Sequence, residues 1–350
     1  MRIAQISPLF ESVPPKLYGG TERVVSYLTE ALVARGHHVT LFASGDSVTA
    51  ADLTSFRDIA LRLDPAPLKS PVAAHLSMLH GIRERADEFD VLHFHIDLLP
   101  LPIFEQLASK CVFTLHGRQD KQDLPQAYRR WSRYPLVSIS DHQRLPLPWA
   151  NWWQTIPHGM PTSLLMPPPR PRGDYLAFLG RLSPEKRPDR AIEIARRAGL
   201  PLRIAAKVDT ADRRYFHETI EPLLAGGGVE FVGEIDDAGK PEFLGNAAAL
   251  LFPIDWPEPF GLVMIESMAC GTPVIAWREG SVPEVVDDGR TGFIVDSIQA
   301  GVEAVARCRE LDRHAVRRRF EQRFDARRMA ADYESLYVRM VEGAPHRMKA

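Results

Sequence analysis

The chain has 350 residues, long for a single hydrophobic core, so two domains are expected. With 45% hydrophobic and 25% charged residues it falls in the ordinary globular range, and a formal net charge of −2 argues against a protein that coats nucleic acid. No apolar run reaches the roughly 18 residues that a membrane span requires.

"MRIAQISPLF" enters a strand directly, with no charged leader followed by an apolar stretch. The first half then alternates short β-like runs with helical patterns, the mark of a parallel sheet. Strands are expected at "RIAQIS" (2–7), "HVTLFA" (38–43), "DVLHFH" (90–95), "CVFTLH" (111–116) and "PLVSIS" (135–140). Between the first two, Thr21 to Arg35 carries Val24, Leu28, Ala31 and Leu32 at helical spacing and stops at Gly36. "PTSLLMPPPRPRG" (161–173) is too rich in proline for a helix, has no strand period, and reads as an interdomain linker.

After the linker the alternation restarts. It gives strands at "DYLAFLG" (174–180), "PLRIAA" (201–206), "VEFVG" (229–233), "AALLFP" (248–253), "TPVIA" (272–276) and "TGFIV" (291–295). Helices are expected over Pro188–Ala198 and Phe260–Ala269. From about Glu303 the tail is arginine-rich at helical spacing, expected to be mostly a solvated face. The pattern implies two doubly wound, Rossmann-like α/β domains in tandem, 1–160 and 174–325. In such sheets ligands sit beyond the carboxyl ends of the strands, so a cleft between the domains is the natural site. Cys111, Cys270 and Cys308 have no metal-ligand spacing and read as free thiols in a reducing compartment, hence a cytoplasmic expectation.

Three segments follow strands and suit a phosphorylated ligand. "KLYGGTERVV" (16–25) puts Gly19 and Gly20 just before a helix, where backbone N–H groups and the helix dipole favour an anion; two glycines also simply make a turn. It is neither a Walker loop nor a dinucleotide fingerprint. "FLGRLSPEKRPDR" (178–190) presents Arg181 and Lys186, a planar fork and a point charge fit for a diphosphate, or else a solvated helix-capping loop. "PEPFGLVMIESMACG" (257–271) is the strongest. Phe260 and Gly261 start a helix, Glu258 precedes it, and Glu266 lies within it among apolar residues. Carboxylates accept vicinal hydroxyls well. Without a ligand, Glu258 would be an acid favoured by the helix dipole and Glu266 an exposed one, which "LVMIESMA" argues against.

Glutamate, seven residues, glutamate within "EPFGLVMIESMACGTPVIA" resembles the signature of the retaining glycosyltransferases of family 4, the glycogen-synthase-like group 1 enzymes with the GT-B fold. "GRLSPEKRPD" and "YGGTERVV" sit where that family keeps its other motifs. "IPHGM" (156–160) resembles its interdomain segment, with His158 in place of the usual asparagine, and "GSVPEVVDDGRTGFIV" (280–295) also matches.

The resemblance implies transfer of a sugar from a nucleoside-diphosphate donor, UDP favoured and GDP or ADP as alternatives, to a sugar, lipid or small-molecule hydroxyl. The configuration would be kept, with no metal and no other cofactor. It implies that Arg181 and Lys186 clasp the diphosphate and that Glu266 binds the ribose. Glu258 would face the transferred sugar, along with N–H groups near Phe260, Gly261 and Leu262. Gly19 and Gly20 would meet the diphosphate when the domains close. Lys207 and the stretch from Val232 to Ile235 would lie near the base. His116, in "TLHG", matches a histidine placed near sugar and acceptor, and His93, His95 and Asp97 in "HFHID" would line the acceptor side; a metal on His93 and His95 lacks a third ligand of suitable spacing. The last segment, 326–350, would return to the first domain, its helix docking through Tyr333, Leu336, Tyr337 and Met340.

"QAYRRWSRYP" (126–135) with Trp149, Trp152 and Trp153 mixes arginines and aromatics; it suits core packing with solvated arginines ahead of an anionic membrane surface or stacking on a sugar. Two other classes compete. An epimerase or phosphorylase on the same fold would need an added catalytic carboxylate or a cofactor lysine, and a non-catalytic nucleotide-sugar-binding module should have lost Glu258, Lys186 or the glycine loop.

Overall fold

A computed structural model describes residues 1–16 and 18–343. Leu17, in the glycine loop, and 344–350, in the expected last segment, lie outside the described residues. The chain forms two compact units, Met1–Met160 with the chain from Ala326, and Pro161–Asp325.

In the first unit the described strands are β1 (Arg2–Ile6), β2 (His38–Ala43), β3 (Asp52–Ser55), β4 (Val91–Phe94), β5 (Cys111–Thr114), β6 (Leu136–Ser138) and β7 (Trp152–Thr155). They pair in parallel in the order β3-β2-β1-β4-β5-β6-β7. β4 and β5 are buried along their whole length, as expected of central strands covered on both faces. Phe42, Phe94, Phe104 and Phe113 anchor the core beside them.

The second unit contains β8 (Leu176–Arg181), β9 (Leu202–Lys207), β10 (Val229–Gly233), β11 (Ala249–Phe252), β12 (Val274–Trp277) and β13 (Gly292–Val295). They pair in parallel in the order β10-β9-β8-β11-β12-β13. Both sheets reverse their strand order once, between β1 and β4 and between β8 and β11. Such a switch point opens a crevice beyond the strand ends, because the connecting helices leave on opposite faces.

Local boundaries follow simple chemistry. The Pro188–Ala198 helix starts on a proline and stops at Gly199, which adopts a left-handed φ of 67°. The first helix runs Gly20–Ala34, so Gly20 belongs to its first turn rather than to the loop before it. The helix expected from Phe260 spans Leu262–Ala269 instead, because Gly261 caps it at φ 78°. A Cβ on Gly261 would lie 2.7 Å from Met264 Cε, so both conformation and space require glycine.

The helix Ala326–Val341 packs on the first unit and buries Tyr333, Leu336, Tyr337 and Met340. The arginine-rich tail, expected to be mostly a solvated face, also supplies buried donors. Arg317 is buried and donates to the carbonyls of Thr162, Leu165 and Ala269, while Arg313 donates to those of Gly245 and Ala247. A guanidinium offers five donors, so one arginine can satisfy several carbonyls that would otherwise be buried unpaired. The proline-rich segment is likewise fixed: the amides of Arg172 and Gly173 donate to Asn246.

Candidate active site

At the switch point of the second sheet, β8 ends on Arg181, paired in register with Lys207 at the end of β9. The chain then makes a single 3-10 turn, Pro184–Lys186, and enters the next helix through Arg187 at φ 51°. This loop is bound to the segment after β11. The amide of Asp255 donates to the Glu185 carbonyl at 2.8 Å, Arg187 pairs with Asp255 at 3.0 Å, and Arg190 donates to the Pro253 carbonyl at 3.2 Å. The clamp brings Lys186 onto Glu258. Lys186 Nζ pairs with Glu258 Oε2, and it lies 4.7 Å from the Trp256 ring centroid and 5.6 Å from that of Phe252. Trp256 Nε1 donates to the same carboxylate oxygen at 3.1 Å.

Glu258 is also held by its backbone. The Ser281 amide donates to its carbonyl at 2.9 Å, and Gly280, at φ 55°, passes so close that a Cβ would lie 2.4 Å from Glu258 N and O. Phe260 is buried, and Ser281 Oγ donates to its carbonyl at 2.8 Å. Leu262 then opens the helix, and in its first turn the Met264 amide donates back to the Gly261 carbonyl at 3.0 Å. One turn in, Glu266 is buried, and Lys240 Nζ donates to Glu266 Oε1 at 2.7 Å and pairs with Asp237 at 2.9 Å. Ile235 is half-buried in the same loop as Asp237.

Both glutamates have lysine partners within the unit, which the sequence reading did not foresee. Arg181 is not a bare cation: it pairs with Glu185, with Asp212 at 3.5 Å and with Asp209 at 3.7 Å, and Asp209 also pairs with Lys207 at 3.1 Å. Lys240 had no sequence signal, being one lysine at the start of a short helix. Trp256 directly precedes a quoted motif and was legible only as its neighbour, while Gly280 opens the quoted segment 280–295 without a stated role.

At the first unit's switch point the chemistry is different. Gly19 caps the first helix, and a Cβ there would meet Pro15 Cβ at 2.7 Å. His95 directly follows β4, and His116 lies just past the end of β5. Gln5 of β1 is in register with His93 of β4, and alternation sets Gln5, His93, His95, Thr114 and His116 on one sheet face. They form a chain of hydrogen bonds. His116 Nε2 lies 2.9 Å from His95 Nδ1, and His95 Nε2 lies 2.8 Å from Gln5 Oε1. Gln5 Nε2 donates to Tyr337 Oη at 3.1 Å and sits 3.3 Å from His93 Nδ1. His93 meets Tyr337 Oη at 2.7 Å and Thr114 Oγ1 at 2.8 Å, and Thr114 meets Tyr333 Oη at 2.7 Å.

Burial holds His93, His95 and His158 neutral, well below the ordinary histidine value, and lowers His116 as well. His93 is fully buried with both ring nitrogens engaged, as are both nitrogens of His95, so neither offers a lone pair to a metal. His116 is half-buried and stacks on His158 at 5.2 Å between ring centroids. Asp97 is exposed beside the turn at Gly117. Of the aromatics nearby, Tyr128, Tyr134 and Trp152 pack in the core, whereas Trp149 is exposed beneath Arg129 at 4.7 Å. No helix among the described residues is long and apolar enough to cross a membrane.

Comparison with known proteins matches residues 18–149 to the family "Glycosyltransferase Family 4" and residues 168–323 to "Glycosyl transferases group 1". The phosphatidyl-myo-inositol mannosyltransferase of Mycobacterium leprae is 28% identical over 91% of this chain and 90% of its own. D-inositol 3-phosphate glycosyltransferase 2 of Catenulispora acidiphila is 32% identical over 39% of this chain and 34% of its own. Among solved structures, sucrose-phosphate synthase of Thermosynechococcus elongatus superposes with a TM-score of 0.78 at 21% identity, covering 98% of this chain and 100% of its own. HepE of Anabaena, in complex with UDP and glucose, gives 0.74 at 19% identity, covering 97% and 99%. These likenesses show the fold, which is GT-B.

Proposed function

Because this chain belongs to glycosyltransferase family 4 and is a glycosyltransferase, we propose that it moves a sugar from a nucleoside-diphosphate donor to a hydroxyl acceptor, keeping the anomeric configuration and using no metal. The observation that carries the reading is the Lys186–Glu258 pair at the second sheet's switch point, next to a helix start.

The pair is the resting form of the site. An incoming diphosphate competes for Lys186, because two phosphate charges attract an ammonium more strongly than one carboxylate does. Glu258, released but still held by Trp256 Nε1, then accepts from hydroxyls of the transferred sugar. Arg181 turns toward the diphosphate only in part, since three carboxylates surround it; with Lys207 it supplies a positive edge rather than a lone clasp. Lys186 and the helix N–H groups near Phe260, Gly261 and Leu262 stabilise the charge that builds on the leaving diphosphate, which takes the place of a metal in the reaction. Glu266, fixed by Lys240, presents its second oxygen to ribose hydroxyls, with Ile235 toward the base. In the first unit, the Gly19–Gly20 start of the helix serves the diphosphate, and His116, His95 and Asp97 serve the acceptor side; His93 supports them from behind. Transfer proceeds on the face the diphosphate leaves, through a loose, oxocarbenium-like state, with a departing phosphate oxygen taking the acceptor proton.

UDP is the favoured nucleotide, because HepE was solved with UDP and glucose. Inositol-bearing acceptors are the first to try, because the curated relatives are named for transfer to phosphatidyl-myo-inositol and D-inositol 3-phosphate. The test is a thermal-shift screen of UDP-, GDP-, ADP- and dTDP-sugars, followed by product analysis with and without EDTA. One nucleotide should raise the melting temperature, since a ligand stabilises the state it binds. NMR of the product should show the donor's anomeric configuration, undiminished by EDTA. An inverted product or an EDTA-abolished rate overturns the mechanism; no shift with any nucleotide sugar overturns the donor class.

A further inference from the structure

The hydrogen-bond chain in the first unit has a direction, and one residue sets it. A neutral imidazole carries one donor and one acceptor nitrogen. Gln5 Oε1 only accepts, so His95 Nε2, 2.8 Å away, carries the proton. His95 is buried and neutral, hence its Nδ1 accepts and His116 Nε2, 2.9 Å away, must donate. His116 Nδ1 is thereby left as an acceptor. On the other side, Gln5 Nε2 donates to Tyr337 Oη, and the Tyr337 hydroxyl donates to His93 Nδ1; His93 Nε2–H then donates to Thr114. Turning the Gln5 amide round would reverse every one of these donors together, so the amide is the switch that gives the whole chain its sense.

We infer that Gln5 is a positioning residue: acting through His95, it fixes His116 as the Nε2–H tautomer and holds Nδ1 as a standing hydrogen-bond acceptor. Because that nitrogen is at the half-exposed end of the chain, its partner is a hydroxyl of the acceptor or of the transferred sugar. This last step rests on the proposed function, whereas the tautomer does not. An acceptor nitrogen orients a hydroxyl by receiving its proton in a hydrogen bond, and a donor nitrogen there would present the wrong polarity.

The test uses the full chain labelled with 15N-histidine, with the His116 signals assigned by their loss in His116→Gln. Long-range 1H–15N spectra should show a protonated Nε2 and an unprotonated Nδ1 for His116 in the unaltered protein. Gln5→Leu, of similar volume, removes the fixed acceptor and should shift His116 toward a mixture of tautomers. Gln5→Glu still accepts from His95 and should restore the original pattern. With an active donor and acceptor in hand, Gln5→Leu should lower kcat about 10²-fold, the low end of what a misplaced proton costs, with KM for the nucleotide sugar unchanged. A protonated Nδ1 on His116 in the unaltered protein overturns the inference whatever the activity, as does an unchanged His116 pattern in Gln5→Leu. A tautomer shift without a change in kcat leaves the tautomer assignment standing and removes His116 from the reaction.

Discussion

The two switch points solve the same structural problem with opposite electrostatics. The second unit gathers Lys186, Glu258, Lys240, Glu266, Arg181 and three further carboxylates, each charge answered by another. The first unit gathers Gln5, four histidines, Thr114 and two tyrosines, with burial keeping the histidines uncharged. A site paired in this way can receive a polyanion by exchanging partners. A neutral directional chain can orient a hydroxyl and has no charge to exchange. The proposed donor and acceptor roles follow this division, and it can be attacked from either side.

The largest effect is expected on acidifying the first unit. His93, His95 and His158 are held well below the ordinary 6.5, so below pH 6.5 the unfolded chain binds more protons than the folded one. The stability they contribute is present above pH 6.5 and lost on falling below it, by about 1.4 kcal/mol per pH unit for each group, or about 4 for all three. Urea unfolding followed between pH 7.5 and 5 should show that slope; a flat profile would mean the chain accepts charge.

The next largest is Lys186→Ala, which should lower kcat by about 10²–10³-fold, the usual loss when a charge-stabilising donor is removed. Initial rates at saturating donor decide it, and full kcat would leave the second unit's ion pair purely structural.

Glu22 carries the contrast further, as an acid on the neutral side. Burial raises it from 4.5 to about 7, so stability falls as pH rises from 4.5 through 7, where the unfolded carboxyl is already ionised and the folded one is not. Glu22→Gln escapes that loss and should be more stable than the parent by about 2–3 kcal/mol at pH 8, with little difference at pH 4.5. Paired denaturation curves at the two pH values check it. The smallest effect is Trp256→Phe. It deletes one hydrogen bond to Glu258, worth about 1 kcal/mol, and should change kcat/KM about fivefold in a steady-state assay.

Much of this was legible in the chain. The Pro188–Ala198 helix announces both ends, and the central strands show as apolar runs because a parallel sheet buries both faces. Edge strand β3 went unseen because "DLTS" is largely exposed and has no apolar face. β7, another edge strand, and the helix Pro71–Glu84 were also missed; the latter has a serine cap and a proline start but a broken apolar stripe. In the site, alternation in "HFHID" and "TLHG" placed the histidines on one face. The lone glutamine inside "RIAQIS" marked the same face, yet its partners lie 88 and 332 residues away. Lys240 and the carboxylates around Arg181 were hidden for the same reason: ion pairing across a fold leaves no local period.

The bond between Gln5 and Tyr337 also bears on how the molecule is made. Synthesis emits the first strand before the whole second unit and the helix that satisfies it only afterwards. Until that helix docks, the imidazoles and amide of the first sheet face solvent on the side it will cover, so the second unit, continuous in sequence, is the part free to fold early. A chain cut just before Ala326 would keep every strand of both sheets and still lack the two tyrosines that complete the buried polar chain.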